Sequence, residues 1–224
     1  LNRFYIGRFA GSHACGLPFN YNPLNQDMRI SGTMASLAGL EQALDLHNAL
    51  YLEYSIARIL LIHSVIMSVG GIPLLYLGDE IATLNDYSYQ DDPTKKEDSR
   101  WAHRPKFDWK RAKHRSDTTM IEGRIFQGLL HLIEIRKQTA AFSLGNTIFF
   151  DTGNPQVLGY VCDEQVLVLA NFSEYEQPVF QGLFGYYDWL PDTVRDLLSK
   201  DELSLTSEIT LKPYQFHWLG LDEG

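Results

Sequence analysis

Cysteine is scarce in this chain: two in 224 residues, Cys15 and Cys162. Far apart, they build neither a disulfide framework nor a CxxC metal pattern, and a reducing compartment, the cytoplasm, is the default. Basic runs are missing too. The 19 Lys and Arg stand against 28 Asp and Glu, for a net charge of −9. That balance offers little to a phosphate backbone and argues against nucleic acid as a partner. Internal repeats and low-complexity tracts are absent. So is a clean apolar run: the most apolar stretch, Ala49 to Val69, contains Glu53, Arg58 and His63. A central Arg costs roughly 2.5–3.5 kcal/mol on membrane-insertion scales, so this stretch reads as a buried helix and no membrane is expected as a partner. The chain opens on Leu1-Asn2-Arg3-Phe4, which is not a signal peptide. The true N-terminus is expected upstream, and targeting is unread.

What is present is ordinary globular composition, 45% hydrophobic and 21% charged, enough for one large domain or two small ones. Aromatics at 12% suit sugar stacking as well as a dense core. Residues 1–48 are polar and turn-rich. Within them Leu17-Pro18-Phe19-Asn20-Tyr21-Asn22-Pro23 reads as a loop, and Ser31 to Leu44 as a short helix. Ala49 to Val69 is a helix that Gly70-Gly71 stops, because glycine takes the left-handed cap conformation at little cost. Ile72 to Leu77 then reads as a buried strand with Pro73 near its start. Gly78 to Thr118 is a long polar loop, and loops of that length are functional or disordered. Thr119-Met120-Ile121-Glu122 matches a capping box. Ile121, Ile125, Leu129, Leu132 and Ile133 fall on one helical face, predicting a helix to Gln138. From Asn146 the pattern changes. Thr147–Asp151, Val157–Cys162, Val166–Asn171, Glu208–Lys212 and Tyr214–Leu219 predict an antiparallel sheet or sandwich that needs no partner from the preceding domain, with a boundary near Ser143-Leu144-Gly145-Asn146.

An apolar strand ending in carboxylates, Gly78-Asp79-Glu80, and opening into a long loop is how a (β/α) barrel presents an active site. Helix, Gly-Gly, strand, Gly-Asp-Glu, loop, helix and β domain resemble the ending of α-amylase-superfamily enzymes. Leu84-Asn85-Asp86-Tyr87 and Asp98-Ser99-Arg100-Trp101-Ala102-His103-Arg104-Pro105 are similar to the amylosucrases in particular. So are Asn2-Arg3-Phe4, Pro18-Phe19-Asn20-Tyr21-Asn22-Pro23 and Arg29-Ile30-Ser31-Gly32-Thr33, and later Asn171-Phe172-Ser173-Glu174-Tyr175 and Leu211-Lys212-Pro213-Tyr214-Gln215. The resemblance implies an α/β class: the C-terminal part of a (β/α)8 TIM barrel with an inserted subdomain, then an antiparallel β-sandwich domain. Residues 1–48 would be the insertion after barrel strand 7, 49–145 the end of the catalytic barrel, and 146–224 the C-terminal β domain. One departure is Ala82, where the family tends to have Gly.

Amylosucrases pass the glucosyl unit of sucrose to an α-glucan and release fructose, without a cofactor. Sucrose hydrolases are close relatives. The resemblance places the nucleophile, the acid/base and the third carboxylate upstream of Leu1, so no catalytic residue is assigned here and the chain alone is expected to be inactive. A non-catalytic fragment is the rival reading. Two substrate-binding residues are expected. Arg100 would line the glucosyl pocket, its planar fork suited to a carboxylate; the plainer alternative is a surface Arg paired with Asp98. Arg29 would lie near the fructosyl or acceptor site; the alternative is a solvated loop Arg. The adjacent Asp79 and Glu80 read as structural charges rather than as a catalytic pair. Asp91, Asp92, Glu97 and Asp98 lack calcium-loop spacing and read as a solvated loop, with no metal. Trp101 and Trp109 read as packing residues. The expected partners are sucrose and an α-glucan acceptor.

Overall fold

The structure, a computed structural model, describes residues 1–143, 145–180 and 190–221. Leu144, placed at the domain boundary by the sequence, lies outside the described residues. The chain divides into two compact units: Leu1–Ile59 with Leu75–Gln127, and Leu60–Leu74 with Gly128–Gly224.

The first unit opens with α1 (Asn2–Tyr5), β1 (Leu17–Asn22), β2 (Asp27–Ser31), α2 (Met34–Leu37) and α3 (Leu40–Asp45). The segment read as a loop is therefore the first strand of a hairpin. Pro18 is tolerated because, among the described residues, β1 has a single strand partner, β2, and is an edge strand. A register shift between Phe19 and Asn22, with Asn20 at φ 51°, marks a bulge. The helix expected over Ser31–Leu44 is broken in two at Gly39, whose φ is 94°. Thr33 caps α2 by accepting from the Ser36 N–H.

Helix α4 (Ala49–Ser68) ends as expected before Gly70 and Gly71, both left-handed. By length and composition it is apolar enough to cross a membrane, a test that the core helix of a globular unit also passes. Its Glu53 pairs with Arg124 at 2.6 Å, and the Arg58 guanidinium donates to the Ala38 carbonyl.

The strand expected over Ile72–Leu77 does not form. The segment has no regular structure and no ladder partner among the described residues, with Ile72 94%, Leu74 81% and Leu77 70% exposed. A barrel strand is apolar because neighbours cover both its faces and supply its hydrogen bonds; among the described residues none does. All paired strands described are antiparallel. The long loop that follows folds into 3₁₀ turns at Asp79–Ile81, Ser88–Asp91 and Ser99–His103, then α5 (Trp109–Ala112). Helix α6 (Ile121–Gln138) buries Ile125, Leu129 and Leu132 as expected. The capping box does not form: the Thr119 hydroxyl donates to Asp117, and Glu122 pairs with Arg111 at 2.6 Å.

In the second unit, β3 (Thr147–Phe150), β4 (Val157–Cys162), β5 (Val166–Asn171), β6 (Gln177–Val179), β7 (Thr193–Asp196), β8 (Glu202–Ser204), β9 (Ile209–Leu211) and β10 (Phe216–Gly220) form two sheets. The larger has the order β3-β4-β5-β10-β7-β8; β6 and β9 make the smaller. Register aligns Val161, Leu167 and Leu219 on one face, packed in a core with Val179, Ile209 and Leu211 of the small sheet. Tyr160, Val168 and Trp218 align on the other face. That face is covered from outside residues 146–224: Phe142 meets Trp218 edge-on at 4.7 Å, and Ser68 bonds the Tyr160 hydroxyl at 2.6 Å. A β domain without outside partners would leave this row bare.

Candidate functional site

The hairpin β1–β2 brings the two expected arginines onto one feature. Phe19 lies directly opposite Arg29, so both side chains leave the same face. The turn Ser99–His103 is pinned to the hairpin stem, since the Ser99 hydroxyl donates to the Pro18 carbonyl at 2.9 Å and to the Ser31 hydroxyl at 3.4 Å. Its Arg100 guanidinium stacks over the Phe19 ring at 4.5 Å. Phe19 is thus the residue the two share, opposite Arg29 in the strand register and under the Arg100 guanidinium.

Asp98 caps this turn, accepting from the Arg100 backbone N–H at 3.1 Å and from its side-chain Nε and Nη2, each at 2.8 Å. The Arg100 guanidinium holds the Asp98 carboxyl down at about 2, and the carboxylate in turn raises Arg100. Nη1 of Arg100 has no hydrogen-bond partner among the described residues, so one edge of the fork is spent on Asp98 and the other is open. Arg29, Arg100 and Arg104 are all exposed, so for Arg100 the plainer alternative, a surface Arg paired with Asp98, describes what the structure contains.

A second constellation lies beside the hairpin. The Asn85 carboxamide accepts from the Thr33 N–H at 2.8 Å and donates to the Cys15 carbonyl at 2.6 Å. Neither Asn85 nor Phe19 could be singled out from composition or periodicity. Their only signal was membership of the Leu84–Tyr87 and Pro18–Pro23 segments.

The remaining candidates separate. Asp79 is half-buried, and burial lifts its carboxyl to about 6, with the neighbouring Glu80 charge adding to the rise. Glu80 accepts from the Gly78 N–H at 2.7 Å. Burial lowers the His103 imidazole, helped by Arg104 and Arg100, and its ring meets Tyr76 edge-on at 6.2 Å. Trp101 carries Lys95 on its face at 4.9 Å, and Trp109 packs against Phe107 at 4.8 Å while remaining largely exposed. Asp92 is spent on Thr94 and Lys95. Among the described residues no cluster of three or more His, Cys, Asp or Glu could hold a metal. Ala82 adopts φ 51° in full burial, which accounts for a glycine preference at this position.

The chain is similar in sequence to a curated enzyme and in fold to several solved enzymes. No protein-family model matches the chain. Glucosylglycerate phosphorylase of Escherichia coli (strain K12) is 28% identical over 173 residues, covering 75% of this chain and 29% of that protein. A variant of MutB, solved with its substrate sucrose, superposes with a TM-score of 0.54 at 18% identity, over 73% of this chain and 38% of that one. A variant of AmyP, solved with maltotriose, gives 0.59 at 15% identity, over 86% and 45%. At these identities the solved structures establish the fold. The chain spans less than half of each relative.

Proposed function

We propose that this chain is part of a sucrose-using glucosyltransferase that builds α-glucan and releases fructose by a retaining double displacement. The observation that carries the reading is that Arg29 and Arg100, 71 positions apart, share Phe19, one as its cross-strand partner and the other over its ring. Sucrose in the MutB complex supports the substrate class. In such a reaction a carboxylate attacks the anomeric carbon while a carboxylic acid protonates the departing fructosyl oxygen. An acceptor hydroxyl then displaces the enzyme carboxylate and gives up its proton to the same acid/base. Both groups would come from residues outside this chain. Arg100 would brace the glucosyl pocket through its open edge, and Arg29 would hold the acceptor.

The E. coli relative favours a second reading, in which inorganic phosphate is the acceptor and α-glucose 1-phosphate the product. A sucrose hydrolase, with water as acceptor, is the third.

The 224-residue chain is expected to release no fructose, since losing even one member of a catalytic set costs orders of magnitude. In the whole enzyme, Arg100→Lys cuts fructose release strongly and Arg104→Lys less, because Lys lacks the planar fork. Arg29→Ala raises free glucose relative to fructose, because water competes once the acceptor is no longer held in line. Glucose, fructose, α-glucan and glucose 1-phosphate are followed in time, with and without phosphate. Equal mild effects of both lysine variants remove Arg100 from the pocket. An unchanged glucose-to-fructose ratio with collapsed fructose release removes Arg29 from the acceptor side.

A further inference from the structure

The Asn85 side chain reaches both ends of the hairpin, one with its oxygen and the other with its nitrogen. Its Oδ1 accepts from the N–H of Thr33, two residues after β2. Its Nδ2 donates to the carbonyl of Cys15, two residues before β1, and to the Tyr87 hydroxyl at 3.2 Å. The Asn85 backbone N–H donates to the Ser36 hydroxyl at 2.9 Å, and the Tyr87 hydroxyl donates onward to Glu41 at 2.5 Å. One amide from the loop that also carries Arg100 thus clamps the strand that carries Phe19 to the strand that carries Arg29. A lone two-stranded hairpin is marginal in water, so its setting depends on such ties.

We infer that Asn85 is a positioning residue: it holds Arg29 in its place relative to Arg100, and thereby sets how the glucosyl unit divides between acceptor and water. This rests on the proposed acceptor role of Arg29. Nothing but an amide serves. Aspartate keeps the oxygen for Thr33 but turns a second acceptor on the Cys15 carbonyl, leaving that carbonyl unpaired beside a like partial charge. Tyr87→Phe is a milder change, removing only the hydroxyl that links the amide to Glu41.

The test is Asn85→Asp and Tyr87→Phe in the whole enzyme, alone and combined with Arg29→Ala. Asn85→Asp should leave fructose release within about twofold of the parent while the glucose-to-fructose ratio rises by about threefold or more. Tyr87→Phe should move the ratio the same way by less. On an Arg29→Ala background neither should raise it further, since residues acting through one another are not additive. A fall in fructose release with an unchanged ratio, or full additivity with Arg29→Ala, overturns the inference.

A second readout does not need sucrose. With its guanidinium over Phe19, the Arg100 Nε–H resonance is expected to carry a ring-current shift, and Asn85→Asp should move it toward its random-coil position with the fold retained. Tyr87→Phe covers the case in which Asn85→Asp fails to fold. An unmoved resonance overturns the inference whatever the substrate. A parent enzyme that releases no fructose, with the resonance moved by the variants, overturns instead the proposed reaction and leaves Asn85 as the clamp.

Discussion

At the scale of single residues, burial and charge give two carboxylates of the same loop opposite behaviour. Asp98 is held at about 2 by Arg100, so its contribution is complete above the ordinary carboxylate value of 3.8 and is lost as pH falls through about 2. Asp79 is lifted by burial from 3.8 to about 6. The folded chain then keeps a proton that the unfolded chain releases first. Stability from this group is fully present below pH 3.8 and falls as pH rises through 6, by about 3 kcal/mol at most for a shift near two units. Asp79→Asn should therefore match the parent at pH 4 and exceed its urea midpoint at pH 8. An equal midpoint difference at both values would show that the carboxyl is not buried in its charged form. Ala82 is a residue-scale departure of another kind: its left-handed backbone carries a strain of about 1–2 kcal/mol that glycine would not.

At the scale of elements, the C-terminus of α4 shows how tertiary partners finish what a helix cannot. The last carbonyls of a helix have no intrahelical donor. Here the Arg136 guanidinium donates to the carbonyls of Met67 and Gly71, the Cys162 thiol to that of Ser68, and the Thr147 hydroxyl to that of Val69. The cation is also placed favourably against the helix dipole. Arg136→Met keeps the stem and removes both donations. At about 1.5–3 kcal/mol for a hydrogen bond to a charged group, offset by water reaching the freed carbonyls, the expected loss is about 2–3 kcal/mol by urea denaturation. Arg136→Lys should recover part of it. A loss below about 0.5 kcal/mol would show that water already satisfies these carbonyls.

At the scale of the whole molecule, the large sheet of the second unit is buried on both faces at its centre: every residue of β5 is buried. One face is closed by the small sheet, the other by residues that include Phe142 and Ser68. Segment 146–224 expressed alone should therefore expose Tyr160, Val168 and Trp218, bind a hydrophobic dye and show weak near-ultraviolet circular dichroism from Trp218. A segment beginning at 121, restoring α6 and Phe142, should regain that signal. Equal near-ultraviolet spectra from both segments would show that the face closes without help.

What the sequence determined by itself was whatever local chemistry decides. The Gly-Gly stop of α4, the apolar stripe of α6 and the ends of β4 and β5 follow from cap conformations and periodicity carried within a few residues. Arg100 and Arg29 were singled out by the motifs that surround them, not by any local pattern of their own. Only the tertiary structure decided the rest. Residues 17–22 became a strand because β2 lies beside them, whereas residues 72–77, far more apolar, did not, because no strand among the described residues does. Strands β6, β7 and β8, each three or four residues long, carry too short a pattern to be read without their partners. Phe19 and Asn85 acquire meaning only from what folding brings to them, a guanidinium from a distant turn and two backbone groups from either end of a hairpin. Local preference chooses the conformation of a segment, but strand pairing and side-chain convergence are made by groups far apart in the chain.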